Sequence, residues 1–429
     1  MNDFTLVFIN AVCYLILFYW YFHKVKVLNV GVMLLALWAI SALGSILYEP
    51  VNFIGHNHKI TLLPYIYLFI MNIIMFSPIL LFRNEFINAI KINLWVYKYL
   101  CIFVSLICIL PLCENVLYAF SHMSQSGIEQ LQQLMNDRYE DSQLAFSYMS
   151  RPALICKRLL GFIGINVCSL LLVLFPIVFS IRKHRWLFIG VIMANANFMI
   201  EGFNVFARFI IAIHLIMLIF IFVLVYRYYI IELRRKIIRY SVLIIGVITF
   251  LFLIITLSRM NNREERTQTS ITIYAYIGQY LSEGMGNFNA NMWPVKKHTG
   301  IDRFKHAVLK KVSPQETERD RDQESFYLGY FSGAFYTAIG DYYRAYGGYV
   351  TALIVILSSL LFIQFFKRHR TISMSGIMLF VLYARMPLLG FLYNTYAVGT
   401  DEFLGSLLLI PIVYYFERSN KVRQIKALR

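Results

Sequence analysis

Charged residues are scarce in this chain. They make up 15% of its 429 residues, whereas hydrophobic residues make up 59%. Average globular domains carry about 25% charged residues, and a soluble protein this apolar could not cover its surface. Unbroken apolar runs such as Val242–Leu257 argue against a transmembrane β-barrel, whose strands alternate in segments of about 10 residues. The composition therefore predicts an all-α integral membrane protein.

Patterns that bind metals or nucleotides are also missing. The six cysteines show no zinc-ligand spacing, and no phosphate-binding motif or metal-binding acid pair is present. We therefore expect no metal and no cofactor. Cys113 and Cys156 flank one polar loop and could pair in an oxidising compartment, but we expect them to be unpaired.

Long apolar runs recur along the whole chain. About 20 apolar residues span a bilayer as a helix, and hydropathy predicts about eleven spans in one polytopic domain, residues 1–429. The first run lacks a basic leader and a small-residue cleavage site, so we expect a span rather than a cleaved signal. The predicted spans are Phe4–Phe22, Leu28–Leu47, Leu62–Phe82, Leu94–Cys113, Leu159–Ser180, Trp186–Ile200, Val205–Tyr226, Tyr240–Leu257, Gly347–Phe366, Ser375–Leu392 and Phe403–Phe416.

The net charge of +17 comes from 40 basic and 23 acidic residues. The basic residues cluster in every odd-numbered connection and in the C-terminal tail. Cytoplasmic loops carry such an excess, so we expect an external N-terminus, a cytoplasmic C-terminus and no nucleic-acid partner. Two long connections, 114–158 and 259–346, then lie outside, and we expect both to contain short helices.

Several polar residues fall inside or beside predicted spans, where charge is costly and usually functional. Glu201 and Arg208 are expected to meet near the outer ends of two adjacent spans. The pair either holds the turn together or presents a cation to an anionic lipid head group. His214, alone in an apolar run, is expected to be a hydrogen-bonded interior histidine. Arg385 either satisfies a carbonyl freed by Pro387 or reaches an interface.

The stretch that re-enters the membrane after the second long connection has an unusual pattern. Gly333, Gly340 and Gly347 recur every seven residues, and Tyr336 and Tyr343 share that spacing. On a helix this places a glycine stripe beside an aromatic one, which allows close helix packing. Asp341 and Arg344, three residues apart, are expected to pair. Aromatic rings crowded around a charged pair are also suited to binding sugars.

Upstream of that stretch, Glu283 opens a segment rich in glycine and asparagine, for which irregular backbone is expected. A cluster of cations follows it and is either a pyrophosphate site or a solvated basic face. The cations are Lys296, Lys297, His298, Arg303, Lys305 and His306.

The chain resembles the Wzy-type oligosaccharide repeat-unit polymerases, also called O-antigen polymerases. The likeness lies in the many spans, the large external loop late in the chain, and the glycine–aromatic segment Phe335–Tyr349 that follows it. Segment Tyr274–Asn291 is loosely similar as well. Members of this family often have an arginine after small residues near the outer end of a central span, and Arg208 matches it. The family often places glycine next, where this chain has Phe209.

The resemblance implies a GT-C-like fold and an inverting, metal-independent glycosyltransferase of a bacterial inner membrane. Its substrate would be an oligosaccharide linked to undecaprenyl pyrophosphate, polymerised at the periplasmic face into O-antigen or capsule. A chain-length regulator and a flippase would be its protein partners. The N-terminus would be periplasmic.

The resemblance also implies roles for particular residues. Arg208, with Arg303 or Arg344, would neutralise the leaving pyrophosphate. The base that takes the acceptor proton would be His298, Asp341 or Glu283, or the reaction would use none. Tyr336 and Tyr343 would contact the sugars.

Two other functions compete with this interpretation. An O-antigen ligase shares the polymerase plan and chemistry. A lipid-linked oligosaccharide flippase or another solute transporter has similar size and apolarity, but such proteins usually have short loops or inverted repeats, and no repeat is evident in this chain.

Overall fold

The computed structural model describes residues 3–47, 60–123, 148–204, 208–239, 246, 273–294, 298, 300, 304–305, 308–309, 337–366, 370–392, 394–395, 399–418 and 422–427. The chain forms two compact units. Unit 1 comprises Met1–Glu85, Ile238–His369 and Tyr383–Thr400, and unit 2 comprises Phe86–Ile237, Arg370–Leu382 and Asp401–Arg429.

Helices dominate the described part of the chain, which confirms the helical membrane class. They are α1 Asp3–Val25, α2 Val30–Leu47, α3 Leu62–Phe82, α4 Leu94–Ile107, α5 Ile109–Met123, α6 Arg151–Val178, α7 Arg185–Asn204, α8 Arg208–Val225, α9 Ile273–Asn287, α10 Ala338–Phe366, α11 Met374–Leu389 and α12 Thr400–Glu417. Shorter turns are the 3₁₀ segments Asn84–Phe86 and Tyr226–Tyr228, the π segment Phe288–Met292, and a helical stretch over 231–239.

The described residues account for part of the predicted set of spans. Within the described residues, eight helical segments are long and apolar enough to cross a membrane. Helix α11, with 16 residues, is shorter than the span expected there, and α12 carries three carboxylates and is not one of the eight. Apart from Gly246, the predicted span at 240–257 lies outside the described residues. A multi-pass membrane protein is established, and the figure of about eleven spans stays a prediction.

The all-α expectation needs one correction, because a small sheet is present. Strand β1 (Ala89–Asn93) pairs in parallel with β2 (Thr371–Ser373) and antiparallel with β3 (Val422–Lys426). Apolar side chains such as Ile90 and Ile92 at the centre are fully buried, but the strands are too short to stand out in so apolar a sequence. The strands belong to the third connection, the ninth connection and the C-terminal tail.

This sheet tests the predicted topology. Paired strands lie about 4.8 Å apart, so these three segments must lie on one side of the membrane. The odd-numbered connections and the tail were predicted to share a side, and for these three the structure agrees. Which side is cytoplasmic stays a prediction of the charge pattern.

In unit 1, residues of three connections that were predicted to lie outside also contact one another. The amide of Asn289 donates to the Thr61 carbonyl at 2.7 Å, and its oxygen accepts the Thr61 N–H at 3.0 Å. Asn394 donates to Asp341 at 2.9 Å. The second, eighth and tenth connections therefore share a side.

Close helix contacts in unit 1 depend on small residues. At Gly44 of α2, a Cβ would lie only 2.7 Å from the Leu281 Cβ of α9, and Ser41 donates its hydroxyl to the Leu281 carbonyl at 2.5 Å. Trp38 is fully buried, and its indole N–H donates to the Pro387 carbonyl at 2.6 Å. These bonds satisfy polar groups that lipid could not satisfy.

Two long helices are interrupted by a glycine. In α6 the backbone at Gly164 has φ 83° and ψ 169°, and in α10 the backbone at Gly347 has φ 79° and ψ 173°. Only glycine adopts this region without strain. Each interruption accommodates a side chain from elsewhere in its own unit: Glu402 packs against Gly164, and His298 packs against Gly347.

The Gly164→Ala variant should be strongly destabilised. The new Cβ would clash with Glu402 and would have an unfavourable φ, a combined cost of about 2–4 kcal/mol. Gly161→Ala is the matched control, because a Cβ there meets no described atom within 4 Å and alanine favours helix. Thermal unfolding of both variants in detergent measures the difference, and equal melting temperatures would contradict the predicted strain.

Candidate functional site

A buried ion pair lies in the first turns of α10, as the sequence predicted. The Arg344 guanidinium lies 3.3 Å from the Asp341 carboxylate. Asp341 is fully buried, and Arg344 is 4% exposed. The pair is held by its helix N-terminus, where Thr337 accepts the N–H groups of Gly340 through its hydroxyl and of Asp341 through its carbonyl. A buried pair at the N-terminal end of a membrane-length helix is the centre of the candidate site.

The connection after α11 completes this site. Asn394, fully buried, donates to the second oxygen of Asp341 at 2.9 Å. Arg385 is 3% exposed, and its guanidinium packs against Gly399, where a Cβ would lie 2.6 Å from Nη2. The Ala338 N–H also donates to the Gly390 carbonyl at 2.7 Å. One buried carboxylate and two buried arginines thus lie in neighbouring segments of unit 1.

Sequence analysis did not identify Asn394, because asparagine in a loop is ordinary. It flagged Arg385 as an intramembrane charge but assigned it no part in the site. The sequence does contain one signal for this part of the site. Arg385 lies within an apolar run, and a short loop containing Asn394 and Gly399 follows it. Only the fold shows that this loop contacts the head of α10.

Tyr343 belongs to an aromatic cluster. Its ring packs with Tyr67 of α3, Phe288 of the π segment and Trp293, at centroid distances between 5.1 and 5.7 Å. Tyr67, Phe288 and Trp293 also contact one another. The cluster therefore joins three segments of unit 1. The other predicted sugar contact, Tyr336, lies outside the described residues.

His298 lies at the interruption of α10. Its imidazole packs against Gly347, where a Cβ would lie 2.8 Å from Nε2, and it contacts the edge of the Tyr343 ring at 6.0 Å. The side chain is exposed. The Gly300 N–H donates to the Ala345 carbonyl at 2.7 Å, which anchors the segment to the broken helix. Arg303, the predicted pyrophosphate ligand, lies outside the described residues.

Glu283 lies on α9 and is buried, with 9% of its surface exposed. Asn287 donates to it at 3.4 Å, and Asn291 donates to Asn287 at 3.0 Å. The irregular backbone expected here is instead helical, first α and then π, since the amides bond one another along one face. Glu283 accepts a hydrogen bond within this ladder.

Glu201 pairs with a cation that the sequence did not suggest, and its predicted meeting with Arg208 stays a prediction because that side chain lies outside the description. Lys157 of α6 lies 3.1 Å from its carboxylate. Helix α8 begins at Arg208, and the position of that side chain lies outside the description. Nearby, Asn115 accepts from Tyr148 at 2.6 Å and donates to Asn197 at 3.0 Å. Unit 2 therefore contains the Glu201–Lys157 ion pair and a group of hydrogen bonds centred on Asn115.

His214 does not have the expected hydrogen bond. It is fully buried in α8, and neither ring nitrogen has a partner among the described residues. Its ring packs on Phe198 at 6.1 Å. The described residues also contain no group of three or more His, Cys, Asp or Glu side chains that could hold a metal ion.

No family model matches the chain, and comparisons with curated proteins and with solved structures find no match.

The Asp341→Asn variant should lose about 3–5 kcal/mol of stability, because it leaves the buried Arg344 charge without its counter-ion. The double variant Asp341→Leu/Arg344→Met should regain most of it, since apolar residues of similar size often replace a buried pair at little cost. Melting temperatures of both variants in detergent give the comparison. A double variant as unstable as the single one would show that the pair does not account for the loss.

Proposed function

We propose that this protein polymerises oligosaccharide repeat units linked to undecaprenyl pyrophosphate, at the periplasmic face of a bacterial inner membrane. A multi-pass helical protein with a long external segment before α10 suits a substrate whose lipid lies in the bilayer and whose sugars lie in water. The observation that carries the proposal is the buried Asp341–Arg344–Asn394 group at the N-terminal end of α10, the end that the charge pattern predicts to lie outside. Charges placed there are costly, and in membrane proteins they usually serve function.

The proposed reaction is a single displacement. The hydroxyl of the acceptor repeat attacks the anomeric carbon of the donor, the bond from that carbon to the pyrophosphate oxygen breaks, and the lipid pyrophosphate leaves with the electron pair. Arginines near the site stabilise the charge that develops on it. Arg344 is the described candidate, and Arg208 and Arg303 stay predictions.

The described geometry separates the candidate bases. Asp341 is buried and accepts from both Arg344 and Asn394, so we assign it to positioning Arg344. Glu283 is buried within the amide ladder of α9. His298 is exposed at the broken helix, and we assign it the role of accepting the acceptor proton, directly or through water.

One observation favours a second candidate, a transporter or flippase for lipid-linked oligosaccharide. Helices α6 and α10 have similar lengths, 28 and 29 residues, and each is broken at a glycine with nearly the same backbone angles. Paired discontinuous helices are typical of secondary transporters. An O-antigen ligase is the third candidate and shares the proposed chemistry.

Glycan chain length in cells distinguishes these functions. His298→Ala should convert the polymer ladder on a gel to single capped repeats, and Arg208→Ala should do the same. Lys183→Ala, which changes an exposed cation between α6 and α7, is the control and should keep the ladder. Loss of every capped form with lipid-linked polymer accumulating would indicate a ligase. A wild-type ladder in both test variants would contradict the assigned roles.

A further inference from the structure

The two broken helices can be compared residue by residue. In α6, the second residue after the glycine is Asn166, and its backbone N–H donates to the Glu402 carboxylate at 2.7 Å. This N–H belongs to the start of a new half-helix, where N–H groups lack intrahelical partners and the helix dipole favours negative charge. The interruption in α6 therefore binds an anionic oxygen supplied by the chain itself.

The equivalent N–H in α10 belongs to Tyr349. The side chain packed against the glycine there is the imidazole of His298 rather than a carboxylate. Tyr349 is 97% exposed, and His298 is exposed as well. The same backbone geometry thus has an exposed side chain able to donate a hydrogen bond where α6 has an acid.

Thr351 supplies a second, independent sign of a ligand. Its side chain is fully buried, and its hydroxyl has no hydrogen-bond partner among the described residues. Helical side chains point back towards the N-terminus, and a helical threonine usually bonds the carbonyl four residues earlier. For Thr351 that residue is Gly347, where the helix is broken. Thr351 shares a helical face with Gly347, so the break there accounts for the missing acceptor, and the hydroxyl has a hydrogen bond to give.

The hydrogen-bond acceptors near the interruption already have donors. The Ala345 carbonyl, at the end of the first half-helix, accepts the Gly300 N–H at 2.7 Å. Asp341 is bound by Arg344 and Asn394. The Arg344 cation offsets the charge of Asp341, and the Ala345 carbonyl is already hydrogen-bonded, so neither group strongly repels an anion.

We propose that the interruption of α10 at Gly347 is a phosphate-binding site, formed by the N–H groups that begin the second half-helix, the Thr351 hydroxyl and the His298 imidazole. The ligand is a phosphate or pyrophosphate group, free or on a lipid. Its identification with the donor pyrophosphate rests on the proposed function, whereas phosphate binding itself does not.

The comparison with α6 provides a sharp test. His298→Glu places in α10 the kind of side chain that fills the interruption in α6. It should raise the melting temperature of the purified full chain and weaken binding of inorganic pyrophosphate at least tenfold. His298→Gln, neutral and of similar length, should weaken binding only a few-fold. Titration of pyrophosphate by thermal shift and calorimetry measures both effects.

Thr351→Val removes the hydroxyl and keeps the shape of the side chain, so it should weaken pyrophosphate binding several-fold while the protein stays folded. If His298→Glu fails to fold, this variant alone decides the matter. Wild-type affinity in Thr351→Val, or in a folded His298→Glu, would overturn the site. Absence of any pyrophosphate binding by the wild-type protein would overturn it as well.

The source of the phosphate is tested with three probes: inorganic pyrophosphate, nanodiscs containing phosphatidylglycerol, and undecaprenyl pyrophosphate. Each lipid is tested for displacement of bound inorganic pyrophosphate. Displacement at a lower concentration of undecaprenyl pyrophosphate than of phosphatidylglycerol supports the donor assignment. Displacement by both lipids at the same concentration contradicts it. If pyrophosphate binds but His298→Glu cells keep a normal glycan ladder, the site stands and its place in the polymerase fails. If that ladder is lost although the wild-type protein binds no pyrophosphate, the polymerase stands and the site fails.

Discussion

Backbone hydrogen bonding in a medium without water is the constraint on which this structure depends. A helix satisfies its own N–H and C=O groups in lipid, and any interruption leaves some of them unmet. The chain interrupts two membrane-length helices and meets the exposed groups from within each unit. Glu402 accepts the Asn166 N–H in α6, and the Gly300 N–H reaches the Ala345 carbonyl in α10.

The candidate site follows from the same constraint. A charge at the membrane boundary persists only when it is paired and hydrogen-bonded, and Asp341 meets that condition through Arg344 and Asn394. The pair begins the helix that Gly347 then breaks, and His298 lies at the break. The Tyr343 and Trp293 rings pack at a centroid distance of 5.1 Å, and this contact holds the segment that follows the π segment against α10. Buried charge, broken backbone and an exposed imidazole are thereby brought within one stretch of unit 1.

Sequence was informative where one physical signal dominates. Hydropathy located most helices, and the charge pattern grouped connections whose contacts the structure then shows, such as β1 with β3. Spacing of three residues identified the Asp341–Arg344 pair. Sequence reasoning did not find partners that come from distant segments: it did not suggest Lys157 as a partner of Glu201, and nothing local marks Asn394 as the partner of Asp341. The glycine at 347 was attributed to packing, whereas its φ of 79° shows a broken helix.

We propose that this protein joins lipid-linked repeats rather than moving them. Purified protein in liposomes, supplied with undecaprenyl-pyrophosphate-linked repeat units on one side and no ion gradient, tests that claim directly. We expect lipid-linked oligomers of increasing length, with one undecaprenyl pyrophosphate released for each bond formed between repeats. Repeats that cross the bilayer with their length unchanged would contradict it.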